Sequence, residues 1–125
     1  MEFHHQRRVS FSDTDAAGVV HFSRILCYVE EAEHALLESL EIPLFGNGGW
    51  PRVDVQCSYT APIMPSKTVE VIISPEQLGG SSVIWKFEVS SEGQVCASGS
   101  MKTVRVNAEG KPTALEPSWL DKLKS

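Results

Sequence analysis

Residues 13–22 read DTDAAGVVHF and combine the types that could do chemistry on a carbonyl group. Two carboxylates, Asp13 and Asp15, sit on turn-type sequence just before a long apolar-periodic segment, with Gly18 between. The first amides of a helix have no partner inside it, and the helix dipole favours negative charge there. Such an end can stabilise an oxyanion developing on a carbonyl substrate. A carboxylate beside it can attack that carbonyl or activate a water. Gly18 permits close backbone approach or a positive φ. On residue types alone, both aspartates equally suit plain turn and capping roles.

The element that must position them is the segment Phe22 to Leu40. Ile25, Leu26, Val29, Ala32, Leu36, Leu37 and Leu40 recur at helical spacing and trace one face. Ser23 is the expected N-cap, Glu31, Glu38 and Glu41 occupy the opposite face, and Pro43 is expected to stop the helix. The rest reads as β. Phe3 to Phe11 precedes the helix, with Arg7, Val9 and Phe11 on one parity. After the loop FGNGGWP, Arg52 to Tyr59 alternates with Val53, Val55, Cys57 and Tyr59 on one parity. Thr68 to Ile73, Ser82 to Val89 and Val95 to Val106 follow, with turns at Gly79-Gly80 and Glu92-Gly93 and breaks at Pro62 and Pro65. A short amphipathic end runs from Trp119 to Leu123. The order predicts a strand, one long helix, then four strands in an antiparallel meander, forming a two-layer α+β domain. Uncovered sheet edges in so small a unit predict at least a symmetric dimer.

Composition narrows the class. The 125 residues fit one domain, 1–125, and carry a net charge of -5 with a pI near 5.3. That balance argues against nucleic acid or anionic membrane as the partner, since both need clustered Lys and Arg. Three widely spaced cysteines, Cys27, Cys57 and Cys96, form no CxxC pair and read as reduced thiols in a cytosolic protein. The segment MEFHHQRRVSFSD has no apolar run of the secretory kind, and no stretch approaches the ~20 apolar residues of a membrane span, so a cytoplasmic location is expected. No metal site is expected: His4 and His5 would point to opposite faces of a strand, and His21 and His34 lack ligand-spaced partners. A GxSxG nucleophile elbow is also lacking.

The run DTDAAGVVHFSRILCYVEEAEHALLESL resembles the hot-dog fold thioesterases of the 4-hydroxybenzoyl-CoA thioesterase type, whose D-x-D-x-x-G-[VI]-V motif leads from the first strand into a central helix. The resemblance implies a five-stranded antiparallel sheet wrapped around one long central helix. It also implies hydrolysis of an acyl- or aryl-CoA thioester without a cofactor, in a homodimer or homotetramer with its active site at the dimer interface. Carried onto this chain, Asp15 is the catalytic carboxylate, as nucleophile or general base, and Asp13 is structural. Phe22 supplies the backbone N–H of the oxyanion hole, and Gly18 lets the thioester approach. His21 lines the pocket or packs. Glu30, from the partner subunit, holds a ring hydroxyl of the acyl group, unless Glu30, Glu31 and Glu33 are simply a solvated face. Trp50 borders the acyl pocket or packs.

This sequence departs from the aryl-CoA enzymes at Gly79-Gly80-Ser81, where the resemblance calls for basic residues toward the CoA phosphates. Backbone amides of that turn, or Lys67, Lys86, Lys102 or Arg105 of a neighbour, are the substitutes on offer. An acyl-carrier-protein thioesterase needs less cationic grip. A hot-dog dehydratase using His21 and Glu33, or a non-hydrolytic acyl-binding protein, completes the alternatives, and DTDAAG favours hydrolysis among them.

Overall fold

The computed structural model describes residues 1–125. Strand β1 (Phe3–Arg8) stops before the aromatic that sequence alternation would include. Phe11 opens a single 3-10 turn, Phe11–Asp13, and is almost fully exposed. The Ser10 N–H donates to the Asp13 carboxylate (3.2 Å), the kind of local side-chain bond that competes with continuing a strand.

Helix α1 (Phe22–Ser39) buries Ile25, Tyr28, Val29, Ala32, Glu33, Leu36 and Leu37 against β1, β4 and β5. Its start is two residues earlier than a Ser23 cap would allow. His21 is the N-cap, with extended backbone and an imidazole Nδ1 that accepts from the Ser23 N–H at 3.2 Å. At the other end Glu41 takes a positive φ of 58°. The Ile42 N–H then bonds back to Leu37 O (2.9 Å) and the Glu41 N–H to Glu38 O (3.0 Å), a Schellman closure that ends the helix before Pro43 is reached.

Beyond the helix come β2 (Gly48–Gly49), β3 (Arg52–Tyr59), β4 (Thr68–Leu78), β5 (Ser82–Ser91), β6 (Gln94–Val104) and β7 (Val106–Asn107). The main sheet is antiparallel with order β1-β4-β5-β6-β3, and β2 pairs with β7 in a separate two-stranded sheet. The expected four-strand meander is therefore shortened. Only β4, β5 and β6 follow one another, while β3 crosses to the far edge and pairs with β6. The physical cause lies in residues 60–67, where Pro62 and Pro65 cannot supply the ladder of a hairpin. At that far edge Gly99 faces Cys57, and a Cβ on Gly99 would collide with the Gln56 carbonyl, so glycine is required for β3 to dock.

A second helix, α2 (Pro117–Lys124), packs Trp119 and Leu123 into the core and was visible in sequence only as a short amphipathic end. No helix is long and apolar enough to cross a membrane.

Candidate active site

The loop between the 3-10 turn and α1 is a small closed structure. Thr14 and Val20 form an antiparallel bridge. Inside it the Asp15 N–H donates to Val19 O (2.9 Å) and the Gly18 N–H to Asp15 O (3.0 Å). Gly18 adopts φ 79°, a left-handed conformation that favours glycine, and open space surrounds it. The turn geometry, rather than close approach of a neighbour, is what requires a glycine there. The Ala17 N–H donates to Asp15 Oδ1 at 2.8 Å, which orients the carboxylate and leaves Oδ2 free of protein donors.

Asp13 holds this loop to the body of the protein. Its main-chain carbonyl accepts from the His21 N–H (2.9 Å), tying the loop's two ends together. Asp13 Oδ2 accepts from the Tyr28 hydroxyl (2.7 Å), the Ser10 N–H (3.2 Å) and Arg7 Nη2 (3.3 Å). Arg7 also pairs with Glu31 and lies over the Tyr28 ring, 5.1 Å from its centroid. Burial alone would raise the Asp13 pKa. The Tyr28 hydroxyl, the Ser10 amide and the guanidinium groups of Arg7 and Arg24 outweigh it and hold the carboxyl below its ordinary value. A carboxylate depressed in the folded state adds stability above its unfolded pKa, and that stability is lost as pH falls through the folded one. Tyr28→Phe should therefore cost about 1–2 kcal/mol at neutral pH. The gap from wild type should shrink as pH falls through the depressed range of Asp13, which urea unfolding at neutral and at acid pH would measure. An equal cost at both would show that the hydroxyl does not act through ionised Asp13.

A cleft of about 420 Å³ opens beside the loop, lined by Asp15, Val20, Phe22, Ile25, Tyr59 and the Thr60–Ile63 segment. The Val20 N–H to Ile63 O bond (2.9 Å) fixes the loop against that segment. Phe22 is the first helical residue, so its N–H has no acceptor within α1. The Tyr59 hydroxyl reaches Phe22 O at 3.3 Å, and the two rings meet edge-on with centroids 6.2 Å apart. Burial, then the Cys57 thiol, pushes the Tyr59 phenol up to about 12, so it remains a donor at neutral pH.

The structure thus brings Asp15 and Phe22 to one cleft and builds the turn on Gly18. His21 caps the helix and stacks on Phe22 (centroids 4.5 Å) without lining the cleft. Glu30 lies elsewhere, in a recess of about 170 Å³ with Leu26, Cys27, Arg52, Val55 and Met101. Of the two readings of Trp50, pocket border or packing, the indole follows the packing one. It is buried, its Nε1–H donates to Pro43 O (2.9 Å), and its ring lies 6.0 Å from that of Trp119. The Arg105 guanidinium sits 5.2 Å from both ring centroids and bonds Pro43 O, so Arg105 is equally unavailable to a phosphate. At the Gly79-Gly80-Ser81 turn the chain's own C-terminal part is bound, through Leu115 N–H to Gly80 O (2.9 Å) and Arg105 N–H to Ser81 O (2.7 Å). Tyr59 and the Thr60–Ile63 segment were not singled out from sequence. A tyrosine ending an edge strand just before a Pro-broken segment carries no distinctive spacing.

Comparison with known proteins agrees with this geometry. The family model for the thioesterase superfamily matches residues 17–98, beginning two residues after Asp15. A 1,4-dihydroxy-2-naphthoyl-CoA hydrolase of Synechococcus sp. (strain CC9605) is 30% identical, the match covering 93% of this chain and 85% of that one. Among solved structures, a 1,4-dihydroxy-2-naphthoyl-CoA thioesterase from Synechocystis superposes with TM-score 0.90 at 25% identity, over 100% of this chain and 97% of that one. A gentisyl-coenzyme A thioesterase superposes with TM-score 0.89 at 29% identity, over 96% and 98%. With an antiparallel five-stranded hot-dog sheet, a matched family model and relatives along nearly its whole length, the chain belongs to the thioesterase superfamily and is a thioester hydrolase.

Proposed function

We propose that this chain hydrolyses a hydroxylated aryl-CoA thioester to the free acid and CoA, in the manner of the 4-hydroxybenzoyl-CoA thioesterase type. The observation that carries the reading is the convergence of the Asp15 carboxylate and the open N-terminus of α1 on one largely apolar cleft. Asp15 acts as nucleophile or general base on the thioester carbonyl. The Phe22 N–H, backed by the helix dipole, receives the developing oxyanion. Gly18 shapes the turn that presents Asp15, and His21 secures the helix start beside it. The thiolate leaves readily, so no cofactor is called for. The substrate class rests on the relatives, whose names denote hydroxylated aromatic acyl groups.

The working unit in this reading is a dimer in the cytoplasm. Strand β3 has one neighbour, β6, and its outer edge exposes Val53, Val55 and Tyr59 alongside Phe22 and Cys27. An apolar unpaired edge needs a cover, and a second β3 is the self-complementary one. Pairing there would place α1 centrally against a continuous sheet. It would also bring Glu30 of the second copy toward Asp15. Within one chain, Glu30 stands eight residues beyond Phe22, roughly 12 Å along the helix, too far to hold a ring whose carbonyl sits at the helix start.

A thiol-release assay on dihydroxynaphthoyl-, hydroxybenzoyl-, benzoyl- and straight-chain acyl-CoA tests this, with sedimentation to give the mass. Wild type should cleave the hydroxylated aryl thioesters fastest, as an assembly of at least two 13.8 kDa chains. No turnover on any of them would overturn the substrate reading. Full activity as a monomer would overturn the shared site.

A further inference from the structure

Strand β3 contains an irregularity with a chemical purpose. Val55, Cys57 and Tyr59 pair with Met101, Gly99 and Ala97 and lie on the helix side of the sheet. Unbroken alternation would put Val53 on that side and send Arg52 to the outer face. Instead the register shifts between Arg52 and Asp54: Arg52 pairs with the fully buried Thr103 and Asp54 with Lys102, while Val53 is the extra, exposed residue. A bulge of this kind re-aims a side chain. Here it turns Arg52 toward α1.

What Arg52 meets there is unusual. Its Nη1 lies 2.9 Å from Glu30 Oε2, and its Nη2 donates to Glu33 Oε1. Glu33 is 0% exposed, and its other oxygen, Oε2, is buried with no hydrogen-bond partner. Two carboxylates face one guanidinium beside a small recess whose other walls are Leu26, Cys27, Val55 and Met101. A planar guanidinium can bridge two carboxylates in fixed geometry, which an ammonium group does poorly. The acceptor capacity left over, between apolar walls, suits the edge of an aromatic ring bearing a hydroxyl donor. It suits neither a bare hydrocarbon nor an anion.

We propose that Arg52 is a positioning residue for substrate choice. Anchored by buried Glu33, it holds the Glu30 carboxylate as acceptor for a hydroxyl on the acyl group that is being cleaved at the partner's Asp15. This rests on the thioesterase reading above and adds to it the residue that sets preference among aryl groups.

The test is the ratio of kcat/KM for 4-hydroxybenzoyl-CoA over benzoyl-CoA. Removing an ionic hydrogen-bond partner should lower that ratio about tenfold or more in Arg52→Met, mainly through KM for the hydroxylated substrate, with partial recovery in Arg52→Lys. Arg52→Met alone leaves Glu33 buried and unpaired, so the double variant Arg52→Met with Glu33→Leu removes both charges and keeps a folded protein available. It should melt near wild type and still lose the preference, as should Glu30→Gln. A double variant that keeps the preference, or a proportional fall for both substrates, would overturn the role of Arg52 alone, whereas a wild type that cleaves thioesters without preferring the hydroxylated one would overturn it together with the substrate class. A wild type that cleaves no thioester would overturn the underlying reading with it.

Discussion

Asp15→Asn is expected to lower kcat by about 10²-fold to 10⁴-fold while leaving the melting temperature nearly unchanged. The two expectations follow from different atoms of one side chain. Oδ1 has a structural task, accepting the Ala17 N–H within the turn, and the amide oxygen of asparagine can keep it. The free oxygen on the cleft side has no such task, and there asparagine supplies neither the charge nor the basicity that attack on a carbonyl or activation of water requires. The Phe22 N–H proposed to receive the oxyanion is main chain and survives the change, so residual catalysis should remain measurable. Steady-state thiol release and a thermal melt on the same preparation separate the two effects. A variant as fast as wild type would remove Asp15 from the chemistry. A variant that is slow because it is unfolded would show instead that the loop, not the charge, depends on this residue.

Trp85→Ala should do the reverse. Trp85 is fully buried in β5, and its Nε1–H donates to the Thr103 hydroxyl on β6 at 2.9 Å, itself fully buried. Truncation opens a large cavity and strands that hydroxyl. The expected cost is about 3–5 kcal/mol. In a chain of this size that lowers the melting temperature by roughly 10–20 °C. Trp85 does not line the Asp15 cleft, so kcat per folded molecule at low temperature should stay within about twofold of wild type. A shift of only a few degrees would mean that the core closes around the missing indole. A matching loss of kcat would mean that the cleft depends on the sheet centre more directly than its lining suggests.

The elements that could be read from the sequence are those specified by their own periodicity. Helix α1 announces itself because its buried positions repeat every three or four residues, and β3 begins and ends where the alternation does. The place of Asp15 beside a helix start was legible because a carboxylate, a turn glycine and the start of the periodic segment fall within eight residues, while its proposed role comes from the resemblance. What stayed hidden depends on residues far apart in sequence. Nothing local to β3 says that its neighbour is β6 rather than β4. Its alternation is also misleading at one point, since the bulge at Val53 reverses which of Arg52 and Val53 faces the helix. The helix cap went to His21 instead of Ser23 because the Asp13 carbonyl, set by the Tyr28 contact fifteen residues on, fixes the His21 backbone. The resemblance offers Trp50 to the acyl pocket or to packing, and Arg105 is one of several cations on offer to the CoA phosphates. The partners that claim them, Pro43 and Trp119, lie 76 residues apart in sequence.

The strand order also governs how the molecule comes into being. β1 pairs only with β4 and β3 only with β6, so neither has a partner until the second half of the chain exists. Every side chain assigned to the chemistry or to substrate choice lies in the first half, within residues 15–63, while the ladders that hold them are completed by residues 68–104. A nascent chain leaving the ribosome therefore carries its proposed reactive groups on a loop and a half-covered helix between two unpaired strands, and β3, the edge proposed to meet a second copy, is the last to gain a neighbour. In the proposed dimer, assembly is consequently a post-synthetic event, and a chain cut short before β6 would leave β5 and β3 each with an open edge that the whole chain closes.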